Sequence, residues 1–393
     1  MANKNLADAK NAKYDEFYTQ YQDIEKEITA YLDFNPDVFR GKTVLLPCDD
    51  PEWSNFTKFF AQNFDKFGIK KLISTSYAEE SKTYKYGYQP TIFEKSDPQY
   101  DEIKTTKNGK IFALTRDKTG DQKINVDDLE WHYLAGDGDF RSEEIKRIRN
   151  ESDIIITNPP FSLFREFLAW VIESNKLFVI IGNKVCVTYK EIFPLFKDNK
   201  IWSGRTEWSG GMWFETKNLD DIDKVVNGIN MKNSPSIWLT NIDHGRRHQP
   251  LPLMTMMENL KYSKHKELQG KTNYEKYDNY DAIEVPFTDA IPSDFDGVMG
   301  VPVSFLDKYS PEQFEILGAT QRGCHNDVPD TKKYDDYCEM TQDGKKTGSS
   351  GVKTNENANL RGNDGKKNYF INKEGRIIQS AFQRIFIKHR KNK

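Results

Sequence analysis

Hydrophobic positions in the first half of the chain switch between helical and strand-like periods. Phe17, Tyr21, Ile24, Ile28 and Tyr31 recur at helical spacing within residues 14–34, with Asp23, Glu25, Lys26 and Glu27 around the rest of the wheel, which predicts an amphipathic helix. Residues 41–47 are a short apolar run and predict a buried strand; the acidic turn Cys48, Asp49, Asp50, Pro51 follows, then a helical stretch carrying Phe56, Phe59, Phe60 and Phe64. Residues 70–75 read as the next strand. Strand, helix, strand in that order predicts a mostly parallel, doubly wound α/β sheet with ligand sites at the carboxyl ends of its strands. Residues 78–128 interrupt the rhythm and read as an inserted hairpin around a strand at 110–115. The alternation resumes with residues 136–140, a charged helix from Glu143 to Arg149, a strand at 153–157, a helix at 162–174 and the most apolar strand, 177–181, which ends at Gly182, Asn183 and Lys184. Strand-like pieces at 211–215 and 236–240 are expected to complete the sheet.

Beyond residue 241 the periodicity weakens. Residues 300–307 are strand-like, a helix is expected near 311–317, and residues 340–367, rich in Gly, Asn, Lys and Thr, read as a mobile loop. A strand at 368–372, a turn at 373–375 and a second strand near Ile377 close the chain. This divides the protein into a catalytic domain at residues 1–240 and an accessory, target-recognition region at 241–393.

The 393 residues suffice for a full core, and Trp, Tyr and Phe number 51, enough to fill that core and leave rings for a cleft. A net charge of -3 excludes a uniformly basic coat, so any nucleic-acid contact has to come from a local patch. Cys48, Cys186, Cys324 and Cys338 are scattered without metal-binding or redox spacing, and no run approaches membrane-spanning length. A soluble, cytoplasmic and monomeric protein is expected.

The chemistry concentrates after the 153–157 strand, in Asn158, Pro159, Pro160 and Phe161. The exocyclic nitrogen of adenine is a poor nucleophile because its lone pair is delocalised into the ring. The Asn158 side-chain carbonyl and the Pro159 backbone carbonyl can each accept one of its N–H bonds, which favours a pyramidal nitrogen with its lone pair directed at an electrophilic methyl group. Proline offers a carbonyl and no N–H, and its fixed φ keeps the turn pre-organised. Phe161 supplies a face for an extruded base. For a methyl donor of the S-adenosylmethionine type, Cys48, Asp49 and Asp50 approach the amino-acid end. Asp139 can accept from the adenine amino group while Phe140 packs against the ring, with Asp137 as competitor. The bland alternative for each carboxylate is a helix cap or turn.

The order of these segments resembles the adenine-specific DNA methyltransferases of the EcoRI type. The resemblance is carried by residues 15–19, Asp49 to Pro51, Gly138 to Phe140, Asn158 to Phe161, Gly182 to Lys184, 210–214 and 300–305, and runs from about residue 11 to 318. It implies a Rossmann-like fold, S-adenosylmethionine as cofactor, methylation of adenine N6 in duplex DNA, no metal in the chemistry, and Phe17, Tyr18 and Thr19 closing over the methionine end of the cofactor. A cognate restriction endonuclease is a possible companion. Two departures stand out: Ser54 and Phe56 occupy places where many adenine methyltransferases carry glycine, and the second strand has no immediate acidic residue, which leaves Glu79 or Glu80 for the ribose.

For DNA, the loop at 243–249 offers Arg246, Arg247 and His248, followed by Lys261, Lys264, His265 and Lys266; arginine can read guanine bidentately. The terminal run from Arg384 to Lys393 is expected to touch phosphates, or nothing at all. Oxygen-bearing residues at 117–128 are similar to a calcium loop, but Gln122 stands where its glycine belongs, so a plain hairpin turn is favoured. His244 and His248 lack partners for a zinc site. Rivals to the DNA reading are RNA or protein glutamine as acceptor of the same chemistry, and a non-catalytic DNA-binding module.

Overall fold

The computed structural model describes residues 18–51, 54–78, 97–216, 222–277, 281–319, 338–348, 356–358, 368–371, 377–380 and 383–390. Phe17, Glu79 and Glu80 lie outside them. The chain forms two compact units, one of residues up to 184 together with 202–245, the other of 185–201 together with 246–393.

The first unit is built on an eight-stranded sheet. Its order is Glu130–Tyr133, Lys110–Leu114, Lys71–Ser76, Thr43–Leu46, Ile154–Thr157, Leu177–Asn183, Ser236–Thr240 and Trp202–Ser203. The four central strands are parallel, and two antiparallel strands flank them on each side. The sheet is therefore mixed rather than mostly parallel. The additions at both edges make it so: the Lys110–Leu114 strand runs against Lys71–Ser76, with Leu114 opposite Leu72, and Ser236–Thr240 runs against Leu177–Asn183, with Thr240 opposite Val179. The inserted stretch is part of this sheet, since its hairpin runs on to Tyr133 and pairs along the Lys71–Ser76 strand. Met212–Glu215 does not complete it. That strand sits in a second, antiparallel sheet ordered Tyr18–Thr19, Met212–Glu215, Ile229–Ser234, Lys224–Val226.

The helix Tyr21–Phe34 buries Ile24, Ile28 and Tyr31 completely, as its spacing demands. Its buried stripe joins an aromatic core in which Phe39 and Phe59 each meet Phe60 edge to face, at 5.5 and 5.3 Å between centroids. Each such ring contributes about 1.5–3 kcal/mol by leaving water. Glu27 points into the same core, where its carboxylate accepts from Tyr31 Oη, the amides of Arg205 and Thr206, and Thr206 Oγ1 at 2.6–2.8 Å.

The second unit holds a sheet ordered Ala282–Glu284, Val298–Pro302, Arg384–His389, Phe314–Ala319, and a small antiparallel sheet of Cys338–Met340, Tyr369–Ile371, Ile377–Ser380 and Glu356–Ala358. The expected helix at 311–317 is a strand: Phe314 and Ile316 are buried two apart, which is a sheet period, and they pair along Arg384–His389. Of the basic run from Arg384 to Lys393, Arg384–His389 is likewise a largely buried strand rather than a phosphate-seeking tail, and residues 391–393 lie outside the described residues. Arg384 forms a bidentate ion pair with Glu284, to which Tyr277 also donates. Of the expected mobile loop at 340–367, residues 341–348 form a turn and Glu356–Ala358 is a strand; the remainder lies outside the described residues. No helix among the described residues is long and apolar enough to cross a membrane.

Candidate active site

The chain leaves the Thr43–Leu46 strand toward Lys71–Ser76 on one side and later adds Ile154–Thr157 on the other, so the strand order reverses between two adjacent carboxyl ends. Reversals of this kind open a ligand crevice. One lip is the turn from Pro47 to Asp50 and the other begins at Asn158. The Thr157 hydroxyl donates to the Pro47 carbonyl oxygen at 2.7 Å, which fastens the two lips together.

The first lip is tightly built. Cys48 adopts a left-handed conformation with φ of 66°, a strain of order 1 kcal/mol for a non-glycine residue. Hydroxyls compensate: Thr57 Oγ1 donates to the Asp49 carbonyl oxygen at 3.1 Å, Ser74 donates to the same atom, and Ser54 Oγ donates to Asp49 Oδ1 at 2.7 Å while capping the helix Asn55–Gln62. Ser54 thus does work that a glycine could not. Burial pushes the Asp49 carboxyl up to about 7, against the pull of the Ser54 hydroxyl. The single Thr157 proton goes to Pro47, so Asp49 Oδ2 stays buried without a donor.

Thr19 is drawn to this lip by Asn55, whose Nδ2 donates to the Thr19 carbonyl oxygen at 2.8 Å; Thr19 Oγ1 is buried without a hydrogen-bond partner. Tyr18 is half-buried beside it and pairs with Glu215. On the second lip Asn158, Pro160 and Phe161 are half-buried and Pro159 is buried, and the Asn158 Oδ1 atom itself is buried. The Phe161 ring meets Phe214 edge to face at 6.2 Å, and Phe214 is paired in register with Thr19.

A third group forms where Lys71–Ser76 ends. Gly138 has φ of 87°, and a Cβ there would lie 2.3 Å from the Ser76 carbonyl oxygen, so only glycine lets the 136–140 loop come this close. Tyr77 Oη then reaches Asp139 Oδ2 at 2.9 Å. Arg141 grips the same carboxylate through Nη2 at 2.6 Å and Nε at 2.9 Å, and its Nη1 reaches Glu166 at 3.1 Å. Burial works to raise the Asp139 carboxyl, but its bonds to Arg141 and Tyr77 outweigh that and hold it below the usual carboxylate range. Burial, and then the bond to Asp139, keeps the Tyr77 hydroxyl above its ordinary range and so protonated at neutral pH.

Other expected residues fall elsewhere. Phe140 is 2 % exposed and packs on Phe167 and Trp170, so its ring belongs to the core rather than to a ligand face. Asp137 caps the turn by accepting the Asp139 amide at 3.0 Å. In the second unit Arg246 pairs with Asp307 at 2.9 Å, Arg247 donates to Asn199 and is buried, and His248 meets Glu312 at 2.7 Å. In the 117–128 turn, Asp128 accepts the amides of Lys118, Thr119 and Asn125, and Asp117 those of Gly120 and Gln122. These carboxylates are engaged in shaping a turn.

Tyr77, Arg141 and Thr157 were not singled out by sequence reasoning, and Ser54 and Phe214 stood out only as a departure from the family pattern and as the end of a familial segment. The available signal was position, since Tyr77 and Thr157 sit at strand carboxyl ends.

An α/β sheet whose adjacent strand ends bring an acidic turn against an Asn-Pro-Pro-Phe turn defines a methyltransferase that acts on an amino nitrogen. The chain belongs to the family described as adenine-specific methyltransferase EcoRI, whose sequence profile matches residues 5–390. It is 43% identical over 322 residues to the Type II methyltransferase M.EcoRI of Escherichia coli, covering 80% of this chain and 89% of the relative. It is also 34% identical over 316 residues to the Type II methyltransferase M.MpnI of Mycoplasma pneumoniae, covering 79% and 83%. A further relative is M.MgeORF184P of Mycoplasma genitalium, at 32% over 316 residues and 79% and 84% of the two chains. No solved structure matches the chain.

Proposed function

We propose that the protein transfers a methyl group from S-adenosylmethionine to the exocyclic amino group of an adenine flipped out of a specific duplex DNA sequence. The observation that carries this reading is the Thr157 to Pro47 hydrogen bond, which sets the Asn158 turn beside the Asp49 turn. The four central parallel strands, with their order reversing at that point, favour a Rossmann-like reading of the first unit.

The polar groups of the crevice suit this cofactor. Asp49 Oδ2 and Thr19 Oγ1 are buried acceptors awaiting a donor, which an ammonium group supplies, and Asp139 is an ionised acceptor for an adenine amino group. When bound, S-adenosylmethionine supplies an electrophilic methyl group on a sulfonium. Asn158 and the Pro159 carbonyl hold the two amino protons of the target base, Phe161 stacks on its ring, and Phe214 packs edge to face with Phe161. No general base is required, because the methylated nitrogen is cationic and loses its proton to water or a neighbouring carbonyl. Cys48 and Asp50 complete the lip, and Tyr18 closes over the methionine end. We assign target recognition to the C-terminal region, including the Arg246 to His248 turn, and infer a soluble protein acting on DNA in the cytoplasm, with or without a companion endonuclease. A tritiated methyl assay offering duplex DNA, RNA and protein tests the acceptor: label in DNA adenine is expected, and label confined to RNA or protein refutes the DNA assignment.

A further inference from the structure

Asp139 is the proposed acceptor for the cofactor's adenine amino group, yet its carboxylate has no acceptor site to spare. A carboxylate offers about four in-plane lone pairs. Oδ1 takes the Arg141 amide at 2.8 Å and Arg141 Nε at 2.9 Å; Oδ2 takes Arg141 Nη2 at 2.6 Å and Tyr77 Oη at 2.9 Å. An incoming amino N–H must displace one of these four donors. Three of them come from Arg141, whose side-chain bonds are charge-assisted and roughly twice as strong as neutral ones. The fourth comes from a neutral hydroxyl, the weakest of the four, and a swing of the half-buried Tyr77 ring takes its oxygen away from Oδ2.

We propose that Arg141 is a permanent clamp on Asp139 and that the Tyr77 hydroxyl is a placeholder, occupying the Oδ2 position that a 6-amino group takes over. The inference rests on the reading of Asp139 as the adenine acceptor. Tyr77 is held for this exchange: it follows the Lys71–Ser76 strand directly, and the close approach of Gly138 to the Ser76 carbonyl sets the distance between its hydroxyl and Asp139. The arrangement selects for a 6-amino purine. A ligand that donates at this point regains the bond that Tyr77 surrenders, whereas one that lacks the donor gains nothing by displacing it.

The test is calorimetric binding of S-adenosylhomocysteine, and of its analogue with hydrogen in place of the 6-amino group, to the full chain. Tyr77→Phe keeps the ring and removes the competing hydroxyl, so it is expected to bind S-adenosylhomocysteine about threefold or more tightly, the scale of one net hydrogen bond. The desamino analogue should show no such gain. Arg141→Met, which frees the carboxylate to turn, is expected to weaken S-adenosylhomocysteine about tenfold. Unchanged or weaker binding by Tyr77→Phe, or an equal gain for the desamino analogue, overturns the placeholder; unchanged binding by Arg141→Met overturns the clamp. Asp139→Ala separates this from the underlying reading. If that variant binds S-adenosylhomocysteine as the wild type does, the acceptor assignment itself fails.

Discussion

Thr157 and Pro47 lie 110 residues apart and are joined by a 2.7 Å hydrogen bond between the ends of neighbouring parallel strands. Thr157→Val keeps the shape of the side chain and leaves the Pro47 carbonyl oxygen buried without that donor. The expected cost is about 1–3 kcal/mol of stability in urea denaturation. The larger effect should fall on turnover, because a shift of about 1 Å between the lips can lower the rate roughly 100-fold. Thr157→Ser, which restores the hydroxyl, should recover most of the rate; equal single-turnover rates in Val, Ser and wild type would show that the tie does not position the site.

Asn158→Ala removes one of the two proposed acceptors for the target amino group. Methyl transfer should drop at least ~100-fold, the usual loss for one pre-organised polar contact to a reacting group. Cofactor affinity by calorimetry should stay near the wild-type value, since the side chain is assigned to the base. Wild-type turnover in this variant would refute the role.

With Asp49 in its proposed place beside the cofactor's ammonium group, cofactor binding should depend on pH. Its folded pKa of about 7 lies above the ordinary carboxylate value, so the folded protein holds this proton more tightly than the unfolded chain does. Stability of the free protein should therefore be greatest below about pH 4 as far as this group is concerned, fall as pH rises to about 7 and level off above, by at most about 4 kcal/mol. An ammonium group beside Asp49 favours the charged form. Below pH 7, binding should release up to one proton, seen as a dependence of calorimetric heat on the buffer's ionisation enthalpy, and Asp49→Asn should abolish that release.

Glu27 organises the 204–206 turn from inside the core. Glu27→Ala strands the Arg205 and Thr206 amides and Tyr31 Oη in a buried setting and is expected to cost about 3–5 kcal/mol. Gly204→Ala should be nearly as damaging, since its Cβ would lie 2.1 Å from Glu27 Oε1 and 2.5 Å from Trp238 Cβ. Thermal unfolding measures both, and a loss below about 1 kcal/mol for Glu27→Ala would show that water replaces the carboxylate.

The apolar runs at 41–47, 153–157 and 177–181 were readable as strands because burial on both faces leaves little but aliphatic residues, and the Asn158 to Phe161 turn followed from its place after one of them. Partner choice was less legible. Met212–Glu215 carries the same strand signal whichever sheet it joins, and nothing local sends it to pair with Tyr18–Thr19. Phe140 sits beside a ligand-type carboxylate, but backbone direction turns its ring inward onto Phe167 and Trp170, while Tyr77 faces Asp139 only because the distant Gly138 admits the approach. Pro311 and Glu312 imitate a helix start, and the period-two burial of Phe314 and Ile316 becomes decisive only against Arg384–His389.

The place of Arg384–His389 between Val298–Pro302 and Phe314–Ala319 has a consequence for biosynthesis. A ribosome has made every described strand of the first unit by the time it reaches residue 245, yet the second unit lacks a central piece of its sheet until roughly 140 residues later, which is on the order of 7–30 s of translation. The first unit of the nascent protein is thus ready to fold while the second still waits for its keystone.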